Sequence, residues 1–271
     1  MRERRTEKLE LKASYGQKLR GVYSWARGDK PAPVIVYAHG FGSVRGGEKS
    51  VALEAECARR GWAFAACDFR GHGESDGTMR ELRGGRLIED LDVITREAAN
   101  RGGSTLFLFG SSMGGWASAW FAAKHPARVA ACAFAAPAFR FLEWERLRES
   151  ERGEWRRTGR MRVRNEFVDV EIDYELTADA ICYQFETLAA EFRAPAIIFH
   201  GMADEIVPYS LSVEFAARCA VGNIELALFK SGDHRLNRVK ERLSFAACEF
   251  FASVVVSSTD ANQTEKCETE K

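Results

Sequence analysis

Three short segments carry residue types that could act together on a carbonyl. FGSSMGGW, residues 109–116, holds two serines side by side among glycines. HGMADEIVP, residues 200–208, offers acids, and KSGDHR, residues 230–235, offers a histidine. A serine hydroxyl is a weak nucleophile until a base takes its proton, and that base needs a carboxylate to orient it. The chemistry such a set would perform is acyl transfer.

The choice between the serines is steric. In G-x-S-x-G the nucleophile stands on a sharp strand-to-helix turn that leaves no room for bulk two positions away on either side. Centred on Ser112, the flanks are Gly110 and Gly114; centred on Ser111, they are Phe109 and Met113, both too large. Ser112 would also open the following helix, whose exposed N–H groups favour a developing oxyanion, with the Met113 N–H as one donor. The alternative is a glycine-rich turn in which Ser112 only caps the helix.

Acid and then histidine follow the serine in the usual order of this motif. Beyond Ser112 the histidines are His125, His200 and His234. His125, in KHP at a helix end, is far along the helix from Ser112. His200 ends an apolar run and is expected to point into the fold or support a loop. His234 lies in a loop before the last helix and is the candidate base. Asp204 is the candidate acid, with Glu205 and Asp233 as rivals; Asp233 is adjacent to His234, so its side chain should diverge from the imidazole. Asp is also a common turn residue.

A second oxyanion donor is expected from HGFGS, residues 39–43, through the Phe41 N–H, with Gly40 and Gly42 allowing close approach. His39 is expected to hold the base of that loop by hydrogen bonding. DFRGHGES, residues 68–75, is glycine-rich, but it lacks GK[ST] and its spacing fits no phosphate-binding loop. It is expected to be a structural turn near the site.

These segments need a scaffold to bring them together. Short apolar runs at 34–38 and 62–67 predict strands buried on both faces, and 105–109, 129–134, 196–200 and 224–229 predict further strands. Helical patterns at 48–60, 86–100, 112–124, 178–192, 210–219 and 237–254 alternate with them. Earlier alternation near 7–13 and 19–25 adds two strands. Alternating strands and helices predict an α/β fold with a mostly parallel sheet, and ligands then bind at the carboxyl ends of the strands. Every segment named above falls just after a predicted strand.

The 271 residues suffice for one large core, and 39 basic residues balance 39 acidic ones. No net field steers the chain toward nucleic acid or an anionic membrane. No stretch is long and apolar enough to span a bilayer, and the N-terminus does not resemble a secretory signal. The seven cysteines show no CxxC pair and the five histidines no ligand spacing, so no metal is expected. Reduced thiols and a cytoplasmic location are expected. The expected partner is a small-molecule ester.

Together HGFGS, DFRGHGES, GSSMGG, HGMADEIVP and SGDHR resemble the α/β-hydrolase family, over nearly the whole chain outside residues 138–176 and the tail. The resemblance implies an eight-stranded, mostly parallel sheet flanked by helices, with one early antiparallel strand. It also implies a Ser112–His234–Asp204 triad and no cofactor. More narrowly, GSSMGGW, HGxxDxxVP and GDHR are similar to small serine esterases with palmitoyl-thioesterase and acyl-glucuronidase members. The expected organisation is core at 1–137, a small charged cap at 138–176, core again at 177–256, and a flexible tail at 257–271.

Within the cap, basic alternation at 160–164 and acidic alternation at 168–175 predict a hairpin with opposed charges; an amphipathic helix in the first half is the alternative. Phe139, Phe141, Leu142, Trp144 and Leu147 could line an acyl pocket or form an ordinary buried stripe. A compact cap favours short to medium acyl chains. The leading function is therefore a serine carboxylesterase. A thioesterase or acyl-glucuronide esterase would use the same residues, and a non-catalytic ligand-binding protein is a further alternative.

Overall fold

The computed structural model describes residues 5–26, 32–144, 147–164 and 168–269. Eight strands form one sheet: β1 (Thr6–Lys12), β2 (Lys18–Ser24), β3 (Ala32–Ala38), β4 (Ala63–Cys67), β5 (Gly103–Ser111), β6 (Ala131–Ala135), β9 (Ala196–Gly201) and β10 (Ile224–Phe229). Their order is β1-β2-β4-β3-β5-β6-β9-β10. Only β2 runs against its neighbours β1 and β4; from β4 to β10 every pairing is parallel.

Every residue of β4, β6 and β9 is buried, because helices cover both faces of the sheet. The period of two decides which face each side chain serves. Val34, Val36 and Leu108 enter the core beneath α2 (Gly84–Asn100), α3 (Met113–Lys124) and α5 (Phe185–Glu191). Ile35, Tyr37, Phe107 and Phe109 enter the opposite core with α1 (Glu48–Arg60) and α7 (Lys240–Thr269), where Phe107 stacks on Phe251 at 4.4 Å.

The cap lies between β6 and β9. Helix α4 (Glu149–Thr158) ends at Gly159, whose φ of 74° turns the chain into β7 (Arg160–Arg164). β7 pairs antiparallel with β8 (Asp169–Asp173) as a separate two-stranded sheet. Arg160 faces Asp173, Arg162 faces Glu171 and Arg164 faces Asp169, while Met161 faces Ile172. The hairpin forms and the helical alternative does not. Trp155, fully buried, anchors it by donating Nε1–H to the Ile172 carbonyl at 3.3 Å.

Three boundaries depart from the sequence reading by more than two residues. The helix expected over 178–192 is a 3-10 stretch (Tyr174–Cys182) followed by α5, because Tyr183 turns inward against Trp116 and Trp120. Residues 237–239 form a 3-10 turn rather than the first turn of the last helix. Helix α7 then passes the expected boundary at 257 and runs to Thr269. The tail's polarity had marked its start, but no glycine or proline after Lys240 breaks the helix.

Candidate active site

Ser112 is the single residue between β5 and α3, held at φ 52° and ψ −117°. A non-glycine residue in this region is strained, and such strain persists only where the surroundings impose it. They do so tightly. A Cβ on Gly110 would lie 2.5 Å from the Gly114 carbonyl, and one on Gly114 would collide with the Ala38 carbonyl. The Ser112 carbonyl accepts the N–H groups of Gly115 (2.9 Å), Trp116 (3.1 Å) and Ala138 (3.1 Å). Its hydroxyl makes no capping bond to the helix. The hydroxyl meets His234 Nε2 at 3.0 Å instead, which removes the capping alternative. Ser111 faces the buried Tyr37 hydroxyl and takes no part in this contact.

The parallel order β5-β6-β9-β10 sets the loops after these strands side by side. The loop after β10 carries His234 over Ser112, and the loop after β9 carries Asp204. His234 Nδ1 lies 2.7 Å from Asp204 Oδ2. The carboxylate only accepts, so Nδ1 carries the proton and Nε2 presents its lone pair to the Ser112 hydroxyl. Both rivals for the acid are placed elsewhere. Asp233 accepts the Leu236 N–H at 2.8 Å and closes its own turn, and Glu205 is exposed.

Asp204 has no solvent-exposed side-chain surface. Its Oδ1 accepts the N–H groups of Ile206 (2.9 Å) and Val207 (2.8 Å). Burial alone would raise its pKa; the hydrogen bonds from His200, His234 and Val207 outweigh burial and hold the carboxyl below its ordinary value. His200, wholly buried, places Nε2 3.1 Å from Asp204 Oδ2 and 3.0 Å from the Val207 carbonyl. With two acceptors there, Nε2 carries the proton, and Nδ1 accepts from the Ser212 hydroxyl at 2.7 Å. His200 therefore braces the acid, a role for which its four-residue spacing from Asp204 was the only signal in the sequence. His125 sits at the end of α3 against Phe121, away from the site.

Phe41 lies in the loop after β3, and Met113 is the first residue of α3, where an amide has no carbonyl partner within its own helix. A Cβ on Gly40 would lie 3.3 Å from the Ser112 Cβ, so the loop backbone rests directly against the serine. His39 holds that loop. Its Nε2 accepts the Phe69 N–H at 2.9 Å, and its Nδ1–H donates to the Gly40 carbonyl at 2.8 Å. Burial, aided by the neighbouring His72, pulls His39 down to about 3, so the ring is neutral. In the turn 68–75, Asp68 binds the Arg45 guanidinium and accepts the N–H groups of Arg45 (2.7 Å) and Glu74 (3.0 Å). It is a structural turn, as expected.

A cavity of about 380 Å³ opens over Ser112, bordered by Phe41, Val168, Ile206 and His234. Phe139, Phe141, Leu142, Trp144 and Leu147 are not among its walls. Phe139 and Leu142 are fully buried, with Phe139 stacked 3.9 Å from Phe215. The other three pack against the same core. The cap reaches the cavity through Val168, which occupies the space that a Cβ on Gly42 would need.

Among the described residues no helix is long and apolar enough to cross a membrane. A family model described as serine aminopeptidase S33 matches residues 29–161. Mouse mitochondrial palmitoyl-protein thioesterase ABHD10 is 32% identical over 212 residues, covering 75% of this chain and 69% of that protein. The solved structure of mouse alpha/beta hydrolase domain-containing protein 10 superposes with a TM-score of 0.74 at 25% identity, covering 95% of this chain and 99% of that one. A putative hydrolase from Agrobacterium vitis gives 0.82 at 23% identity, over 92% and 99% of the two chains. With this sheet order and this serine turn, the chain belongs to the α/β-hydrolase family, as a serine hydrolase of the kind that includes esterases and thioesterases.

Proposed function

We propose that the chain is a serine carboxylesterase acting through Ser112, His234 and Asp204 on esters of short to medium acyl chains. The observation that carries this reading is the His234 ring, which bridges the strained Ser112 at 3.0 Å and the buried Asp204 at 2.7 Å. Ser112 Oγ attacks the ester carbonyl carbon while its proton passes to His234 Nε2. The carbonyl oxygen becomes an oxyanion that accepts the Phe41 and Met113 N–H groups. When the tetrahedral intermediate collapses, the bond to the leaving oxygen breaks and His234 delivers the proton to it. A water, deprotonated by His234, then attacks the acyl-Ser112 carbonyl; the bond to Ser112 Oγ breaks, His234 returns the proton to Oγ, and the acid leaves. Asp204 stays ionised throughout and stabilises the imidazolium.

A thioester would react by the same steps with sulfur as the leaving atom. The mouse relative is named as a palmitoyl-protein thioesterase, which favours thioesters as substrates as well. The test is an acyl-length series of activated esters and matched thioesters, run with the wild type and Ser112→Ala, alongside organophosphonate labelling. We expect labelling and turnover in the wild type, and a loss of about 10⁴-fold or more in Ser112→Ala with the fold preserved. Unchanged turnover in Ser112→Ala refutes Ser112 as the nucleophile, whereas neither turnover nor labelling in the wild type leaves a non-catalytic binding protein.

A further inference from the structure

The mechanism above does not use Lys49, yet this residue is part of the wall of the cavity over Ser112. Lys49 is the second residue of α1. Its Nζ donates to the Arg235 carbonyl at 2.6 Å and lies 3.5 Å from Asn237 Oδ1. Both acceptors are neutral oxygens. Among the described residues no carboxylate is within ion-pair distance of Lys49. Glu48, the acidic residue in the lining, is held by Lys240 Nζ at 2.8 Å and Asn237 Nδ2 at 2.9 Å. Asp233 and Glu48 act on this partly buried ammonium only from beyond ion-pair distance, so a bound anion would supply the direct partner it lacks. Burial first, and the Arg235 charge second, bring Lys49 down to about 8, with Asp233 and Glu48 offsetting part of the fall. At neutral pH the ammonium is thus still mostly charged and open to an anionic partner.

The position of Lys49 also says which part of a substrate meets it. His234 must hand its proton to the leaving atom, so the leaving group departs along the wall that carries His234. The carbonyl that Lys49 grips belongs to the next residue in that wall, Arg235.

We propose that Lys49 forms an anion subsite on the leaving-group side of Ser112, selecting esters or thioesters whose alcohol or thiol portion carries a carboxylate or phosphate. This assignment rests on Ser112 acting as the nucleophile, and it names the substrate class of that site. Lys49 supplies a charge-assisted hydrogen bond to the anion, and the acyl chain lies on the opposite side of the serine.

The test uses butyryl esters of a neutral alcohol, of 3-hydroxypropionate and of 2-hydroxyethyl phosphate. A half-ester of succinate with the neutral alcohol places the charge on the acyl side instead. Binding is measured calorimetrically with Ser112→Ala, and kcat/KM with the wild type, each with and without Lys49→Met or Lys49→Arg. We expect the anionic alcohols to be favoured over the neutral one by about 10- to 100-fold, the range of a charge-assisted hydrogen bond. The larger of the two anionic signals identifies the carboxylate or the phosphate. Lys49→Met should bring that ratio close to one, and Lys49→Arg should keep most of it. No preference in the wild type, an equal preference for the succinate half-ester, or an equal loss for charged and neutral esters in Lys49→Met overturns the proposal. If the wild type hydrolyses none of these esters while Ser112→Ala still selects the anionic alcohols through Lys49, the subsite stands and the hydrolase reading falls.

Discussion

The loops at the strand ends and the cap hairpin are built from the same kinds of residue and treat charge in opposite ways. In the loops, Asp204 has no exposed side-chain surface and is met by two imidazoles and two backbone N–H groups. In the cap, Arg162 grips Asp169 through two bonds of 2.6 Å, a geometry at least as good, yet the two side chains are 61% and 44% exposed. Water screens the second pair, whereas the first set is held where each polar contact must be satisfied internally. Burial, more than geometry, separates a charge that orients chemistry from a charge that keeps a surface wet.

The sharpest way to break this contrast is to change one atom of the buried acid. Asp204→Asn keeps the shape but supports the wrong His234 tautomer, so kcat should fall by about 10³- to 10⁴-fold in steady-state assays. The same change has a signature in stability. A carboxyl held below its ordinary value contributes stability above about pH 4 that fades as pH falls. Denaturant melts of Asp204→Asn should therefore depend less on pH in the acidic range than those of the wild type.

If the cap is held by burial rather than by charge, its anchor should matter more than its ion pairs. Trp155 is fully buried, packs edge-on against Trp144 and Tyr174, and binds the hairpin backbone. Trp155→Ala should cost about 3–5 kcal/mol in chemical denaturation and raise hydrogen exchange across β7 and β8. Arg162→Ala should leave the denaturation midpoint close to that of the wild type, with kcat within about twofold. A loss from Arg162→Ala as large as that from Trp155→Ala would erase the distinction between the two regions.

Most of the scaffold was legible because its signals are local. The apolar runs and helical spacings marked the strands and helices, apart from ends where a tertiary contact intervenes, as at Tyr183. The hairpin was legible because basic and acidic residues alternate with the period of a strand. The small flanks of Ser112 were legible because the turn excludes any Cβ at Gly110 and Gly114. The fate of Phe139 to Leu147 was not, since an apolar side chain carries no mark telling a pocket wall from a core. Lys49 was missed for a similar reason: a lysine in the first turn of a helix ordinarily points to solvent.

The sequence by itself determined the order of the elements and placed Ser112, Asp204 and His234 each just after a strand. Short-range sterics, hydrophobic period and turn chemistry are enough for that. It left Asp204, Glu205 and Asp233 in competition and said nothing decisive about His200 or Lys49. Tertiary structure decided these, because a hydrogen bond depends on distances of a few tenths of an ångström between loops far apart in the chain. Only when β5, β6, β9 and β10 lie side by side does one carboxylate meet His234 beside Ser112, and only the folded chain brings Lys49 to the Arg235 carbonyl at the cavity wall.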